Sequence, residues 1–474
     1  MSKQLKIFLI AAIGFAGLLV LVAMTLFIFV STDAYRPRLE AAASGALGLE
    51  VRAGGRMGID LFPALQITME NVHIGTQGAE VAIVKEAKFG IKLLPLFKNQ
   101  IRFEMVALKH PRISIERDRD GHFNFENPEA GDTFPALDLA NVSLADGTLR
   151  FADQQSGEGF EALGCNLKLD PLKLSAGERS NRLKLLSFTA ELACKKVRRN
   201  AFAVSDLKLS AEGKNGVFNL KPVTMRVFGA EGSGNLRADF SGATPLYAVR
   251  YALPQFRIEE FFKILSPQKV AEGAMDLSAH LALQGKTVKQ MRQTAKGQIL
   301  LRGKDLILIG RDLDQEFSRF ESSQNFNLLD VGAFFLAGPL GLAATKGFDF
   351  ARLSQRSDGR SEIPRLVSDW NVADGVALAQ DVAMATKENR VALQGGLDFI
   401  NEQFNEVTMA LIDANGCAKV QQKIRGSFQE PVIEKPSILK SLTGSVFGLF
   451  KKGREILSGG ECEVFYSGSV AQPE

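Results

Sequence analysis

From residue 57 onward, apolar and polar side chains alternate with a period of two, the signature of strands that bury one face. Leu65, Ile67 and Met69 alternate with Gln66, Thr68 and Glu70. Ile113 and Ile115 alternate with Arg112, Ser114 and Glu116, and Leu163, Cys165, Leu167 and Leu169 with Gly164, Asn166, Lys168 and Asp170. The pattern recurs over 207–211, 223–227, 236–240, 275–283 and 299–301. Turn signals separate the runs: Asp120-Gly121, Asp146-Gly147, 213–216, Asp358-Gly359 and Asp374-Gly375. This predicts a mainly β fold, an antiparallel meander through short turns. Helices are few, predicted over 37–47, 257–265, 287–295, 311–324 and 437–457. So few cannot cover so many strands. The apolar face must fold onto itself, meet a second sheet, or hold something that is not protein. The candidate lining residues are the apolar alternates Leu65, Ile67, Ile113, Ile115, Leu167, Leu169, Val223, Met225, Leu277, Leu281 and Ile299. Each is equally readable as a protein core residue.

The two ends of the chain break the alternation. Ile7 to Val30 carry no charge. Rising about 1.5 Å per residue, a helix of that length crosses a hydrocarbon layer of about 30 Å. Lys3 and Lys6 precede it, so the positive-inside tendency puts the N-terminus in the cytoplasm and the body across the membrane. A cleaved signal peptide would have a shorter apolar core and a small-residue exit, where this run ends in Phe27-Ile28-Phe29-Val30. Near the other end, 437–457 is basic and amphipathic. Phe447, Phe450, Lys451 and Lys452 are its membrane-interface candidates, with a helix docked on its own sheet as the alternative. The stretch 328–344 is apolar but interrupted by Asp330, Gly338 and Pro339, which suits a cap or a packed loop better than a span. The expected organisation is an anchor over 1–31, β regions over 32–285 and 286–436, and a basic helix and tail over 437–474.

Composition narrows the chemistry. The 474 residues are 46% hydrophobic and 23% charged, as in ordinary globular proteins, and the net charge of +4 gives no reason to expect nucleic acid. Cys165, Cys194, Cys417 and Cys462 form no C-x-x-C pair, so a zinc knuckle is not expected. In an oxidising compartment they suit two disulfides. Chain order favours Cys165 with Cys194 and Cys417 with Cys462, although three pairings remain open. Gly285-Lys286-Thr287 lacks the first glycine of a phosphate-binding loop. Asp118, Asp120, Asn124 and Glu126 lack the spacing of a calcium loop and read as a turn. His73, His110, His122 and His280 are scattered, and no G-x-S-x-G elbow exists. No catalytic residue, metal or cofactor is expected, and the chain is not read as an enzyme.

Several blocks resemble the AsmA family. They are Tyr35-Arg36-Pro37, Leu47-Gly48-Leu49-Glu50-Val51, Leu61-Phe62-Pro63-Ala64-Leu65 with Glu70-Asn71-Val72, and Lys92-Leu93-Leu94-Pro95-Leu96. His110-Pro111-Arg112-Ile113 follows, with Asp120-Gly121-His122-Phe123-Asn124-Phe125 and the D-G-T-L-x-F pattern ending at Phe151. Gly297-Gln298-Ile299, Arg311-Asp312-Leu313 and Gly395-Gly396-Leu397-Asp398 resemble the family's C-terminal region. The resemblance implies a single-pass inner-membrane protein with its bulk in the periplasm, whose long curved antiparallel β-sheet forms a trough, an apolar groove that holds phospholipid acyl chains. It also implies a contribution to outer-membrane assembly, with phospholipid, the inner membrane and the outer membrane or its assembly machinery as partners. The alternative is a membrane-anchored scaffold that affects protein targeting to, and insertion in, the outer membrane through its sheet edges.

Overall fold

The computed structural model describes residues 36–60, 65–76, 79–92, 95, 102–126, 133–134, 136–178, 181–200, 202–264, 269–323, 359–435, 437–438 and 462–473. The predicted anchor over 7–30, the apolar stretch 328–344 and Phe447, Phe450, Lys451 and Lys452 lie outside the described residues. Among the described residues no helix is long and apolar enough to cross a membrane. The chain divides into two compact units, Met1–Met225 and Arg226–Glu474, and each is mainly β.

In the first unit, α1 (Arg36–Leu47) leads into β1 (Glu50–Ala53), β2 (Met57–Asp60), β3 (Gln66–Thr76), β4 (Ala79–Ile91) and β5 (Phe103–Arg117). There follow β6 (Thr133–Phe134), β7 (Leu137–Leu139), β8 (Asn141–Asp153), β9 (Glu158–Leu174) and β10 (Gly177–Glu178). A short α2 (Arg182–Leu185), β11 (Leu186–Arg199), β12 (Phe202–Lys214) and all but the last two residues of β13 (Val217–Val227) complete it. β1 and β2 both pair with β3, and β4, β5, β8, β9, β11 and β12 follow side by side. The expectation of an uninterrupted antiparallel meander is corrected at one place: β5 and β8 are parallel. The turn at Asp120-Gly121 does close, with the Asp118 N–H donating to His122 O at 2.9 Å. The chain then runs on to Ala140 before re-entering beside the start of β5, and parallel neighbours need a crossover of that length.

Helix α1 seals the first strands. Leu39 and Ala43 pack into one core with Leu65, Ile67, Met69, Val72, Val84 and Ala87. Arg36 donates to Ala53 O (3.1 Å) and Gly55 O (3.0 Å), while Glu40 and Ser44 accept from the N–H groups of Ala53 (2.7 Å) and Val51 (2.9 Å). The helix thereby supplies partners to backbone groups at the margin of the sheet, where a bare edge would invite another strand.

A line of bulges crosses the same unit. Asn71, His110, Asp146, Gly164 and Asp206 have positive φ at matching levels of β3, β5, β8, β9 and β12. At this line the inward positions change parity: Leu108 is followed by Pro111, Leu144 by Gly147, Ala162 by Cys165, Cys194 by Val197 and Val204 by Leu207. Bulges bend a strand and increase its twist, so matched bulges crease the sheet. Asp146-Gly147, expected as a turn between strands, is one of them and lies inside β8. On the outer side of the crease, Asp146 pairs with His110 (3.2 Å) and Lys195 (3.3 Å).

The second unit is a meander of β14 (Ala230–Asp239), β15 (Leu246–Arg257), β16 (Ala271–Gln284), β17 (Lys296–Ile309), β18 (Arg360–Ala373) and β19 (Val376–Ala385). It continues through β20 (Arg390–Asp398), β21 (Gln403–Ile412), β22 (Ala418–Gly426), β23 (Pro431–Ile433) and β24 (Ser437–Ile438). The predicted helices appear as α3 (Ile258–Phe262), α4 (Val288–Gln293), capped by Thr287, and α5 (Leu313–Ser323). The helix expected to begin at Ser437 is corrected there, because Ser437 and Ile438 instead satisfy the edge of β22 opposite Gln421 and Val420. Strands β18 to β21 are buried on both faces. Leu366, Trp370, Met384 and Met409 are sealed on one, and Val367, Ala383, Ala392 and Ala410 lie on the other beneath Tyr466 and Val470. Tyr466 donates to Asp381 at 2.5 Å, and Arg390 donates to Val470 O at 3.1 Å. Burial, and then the Asp381 carboxylate, push the Tyr466 phenol far above its ordinary range.

Cys165 is bonded to Cys194 directly opposite it, and Cys417 to Cys462, which ties down the segment bearing Tyr466. The first bond closes a loop with a sequence separation of 29. Replacing both Cys165 and Cys194 by Ala should cost about 3 kcal/mol. The check is the urea midpoint of the first unfolding transition, which reductant should lower to the same degree in the parent and not at all in the double variant.

Candidate functional site

Five rows of inward side chains run across β5, β8, β9, β11 and β12 of the first unit. One is Val106, Val142, Leu169, Ala190 and Ala211. The next is all leucine: Leu108, Leu144, Leu167, Leu192 and Leu209. The third follows the crease through Pro111, Gly147, Cys165, Cys194 and Leu207. Beyond it stand Ile113, Leu149, Ala162, Val197 and Val204, and then Ile115, Phe151, Phe160, Arg199 and Phe202. Arg199 is the single charge in these rows.

The large side chains of these rows are half-buried, and the small ones along the crease are sealed. Cys165 and Cys194 are 6% and 4% exposed, while Phe160 and Phe202 at the margin are 38% and 37% exposed. α1 packs chiefly on β1 and α2 on β10, and the β5 members of the rows, Val106 and Leu108, pack against the core that α1 seals. The opposite face is polar and exposed, with Asn166, Lys168, Glu191 and Lys208. A contiguous half-exposed apolar face of this kind calls for an occupant or a partner.

The margin is electrically balanced. Arg117, Asp153 and Glu158 stand in register on β5, β8 and β9. Arg117 pairs with Asp153 (3.5 Å), and Arg199 pairs with Glu158. Desolvation opposes ionisation of Asp153, but hydrogen bonds from Ser156 and Gln155, together with Arg117, outweigh it and hold the carboxyl below the usual range. A surface cavity of about 590 Å³ opens here between Arg150, Phe151, Phe160 and Arg198.

The sequence-derived candidates separate into three groups. Leu65 and Ile67 are corrected to core residues, since α1 covers them. Ile299 is likewise sealed, opposite Trp370. Ile113, Ile115, Leu167 and Leu169 stand together in the rows of the first unit. Val223 and Met225 are half-buried on β13. In the second unit Leu277 and Leu281 are half-buried opposite Leu253 and Val249. Sequence reasoning missed Leu144, Leu192 and Gly147 as members of the face. The first two were legible as alternates within longer runs. Gly147 was not, because a glycine after aspartate signals a turn and a bulge alike. Among the described residues no group of His, Cys, Asp and Glu is placed to hold a metal ion.

The family model of the AsmA family matches residues 1–181. No curated protein and no solved structure matches the chain.

The difference between face and core is measurable. Leu192→Ala, on the half-buried face, should cost about 1 kcal/mol, and Leu366→Ala, in the sealed core of the second unit, about 3 kcal/mol or more. Urea unfolding of the two variants, followed by tryptophan and far-ultraviolet signals, checks the ordering.

Proposed function

We propose, from the match of residues 1–181 to the AsmA family model, that the chain is a membrane-tethered periplasmic protein of that family that holds phospholipid acyl chains on the apolar face of its sheet. Its role is lipid supply in outer-membrane assembly, and it acts without covalent chemistry. The observation that carries this reading is the set of half-buried apolar rows bordered by balanced ion pairs. Each methylene moved from water onto such a face gains about 0.8 kcal/mol, so a chain of a dozen or more carbons is held while its headgroup stays at the wet margin. Because every row offers the same kind of surface, a chain moves along it with little change in energy. The 7–30 segment tethers the body to the inner membrane and sets the side on which it lies. The rival reading, recruitment of a partner strand at a sheet edge, is opposed at β1, where Arg36, Glu40 and Ser44 already occupy the margin.

The test is mass spectrometry of phospholipid retained by the full chain after extraction and exchange into lipid-free detergent. About one or more phospholipids per chain is expected, falling severalfold in Leu167→Asp with its circular dichroism unchanged. A parent chain that retains no more phospholipid than an unrelated single-pass membrane protein overturns the proposal.

A further inference from the structure

Strands β9 and β11 keep their register only as far as Glu161 opposite Arg198. Beyond that pair β9 continues against β8, with Phe160 opposite Phe151, Gly159 opposite Ala152 and Glu158 opposite Asp153. β11 instead ends against β12, with Arg199 opposite Phe202. The sheet forks at this point, and the ends of β8, β9 and β11 line the surface cavity of about 590 Å³. Alternation along a strand keeps the two faces of a sheet apart. At the fork both faces contribute to one cavity. Arg150, Glu161 and Arg198 stand in one row on the polar face, while Phe151, Phe160 and Arg199 belong to the apolar face.

The charges around the cavity leave one cation over. Arg198 donates from Nε (2.6 Å) and Nη2 (2.5 Å) to the same Glu161 oxygen. Arg199 pairs with Glu158, and Asp153 is held by Arg117, which lies outside the cavity. Each carboxylate lining the cavity therefore has its own guanidinium, and among the described residues Arg150 has no carboxylate partner. Arg150 is exposed on β8, beside a Glu161 already engaged by Arg198. The Asn200 side chain, at the far wall, makes no hydrogen bond to the described residues either. A surplus of one positive charge matches a monoanion. A phosphodiester carries one negative charge on two free oxygens, which the planar guanidinium meets with two parallel N–H bonds. A phosphate monoester carries up to about two charges and would be repelled by Glu158 and Glu161. Phe160, 38% exposed and stacked at 5.5 Å from Phe151, gives the cavity an apolar wall for a substituent of the ester.

We infer that the fork between β9 and β11 is a phosphodiester site, in which Arg150 holds the anionic oxygens and Phe160 meets the apolar substituent of the ester. This rests on the lipid-holding reading and deepens it, because the protein then distinguishes lipids that carry a phosphodiester from lipids that do not. One exposed guanidinium pairs weakly, so the headgroup is recognised and released again. The contact is electrostatic and open to solvent, and salt screens it.

The experiment offers the purified full chain, in a phosphate-free maltoside detergent, an equimolar mixture of phosphatidylethanolamine and diacylglycerol with identical acyl chains. Retained lipid is counted by mass spectrometry. The parent should prefer the phospholipid by about threefold, the size expected of one exposed ion pair, and less at high salt. Arg150→Gln should bring the ratio close to one while total retained lipid and circular dichroism stay unchanged. Arg250→Gln, at an exposed arginine of the second unit, should keep the parent ratio. A parent ratio of one, or an inert Arg150→Gln, overturns the phosphodiester site and leaves lipid holding intact. If neither lipid is retained, the functional reading falls, and the site is judged by the phosphorus resonance of glycerophosphocholine, a soluble phosphodiester. Broadening of that resonance by the parent and not by Arg150→Gln supports the site, and no broadening overturns it. Inorganic phosphate that binds as well as the diester overturns the assignment to an ester in favour of free phosphate.

Discussion

The first unit depends on backbone conformation at a few polar positions. Asn71, His110, Asp146 and Asp206 take a left-handed conformation that costs most residues free energy, and Gly164 takes it without penalty. Because these residues stand at the same level on different strands, their bulges add up along a line instead of cancelling. The sheet bends at that line, its inner side brings Gly147, Cys165 and Cys194 together under Leu144, Leu192 and Leu207, and its outer side carries the charged network around Asp146. A single bulge would be a local irregularity. Repeated in register, it decides where apolar side chains converge.

The molecule answers the demand of an apolar sheet face in two ways. In one it covers the face with its own chain. α1 does so over β1 to β4, and in the second unit the sealed strands β18 to β21 have Tyr466 and Val470 on one side. In the other it leaves large side chains half-buried, across β5 to β12 of the first unit and at Leu277 and Leu281 of the second. Packing cannot hold strands in register where no layer lies over them. The cross-strand disulfide sits in that part of the first unit, and cross-linking compensates there for missing core. The ion pairs at the margin then separate an apolar interior from water without selecting a net charge.

Such a surface suits a cargo that must be retained but not gripped. A binding pocket with convergent polar groups would fix one orientation. A row-like apolar face permits translation along the rows, which is what conveying a lipid requires in the function proposed for this chain.

The sequence by itself determined the kind of structure. Period-two alternation at Leu167 and Leu169 or Leu277 and Leu281 is a local property of the chain, and it specifies strands with an apolar side whatever lies around them. Hairpin turns such as Asp374-Gly375, the short helices and the chain-order cysteine pairs were legible for the same reason. Which apolar residues are core and which are open was decided only in three dimensions. Leu65 and Leu167 are alike in sequence context, yet α1 packs over one and not the other, because Arg36, Glu40 and Ser44 meet the backbone of β1 from seven to seventeen residues away. The parallel pairing of β5 with β8 and the use of Asp146-Gly147 as a bulge were likewise decided by neighbouring strands. A glycine that permits a turn also permits a bend within a strand, and only the register of the strands on either side determines which one forms.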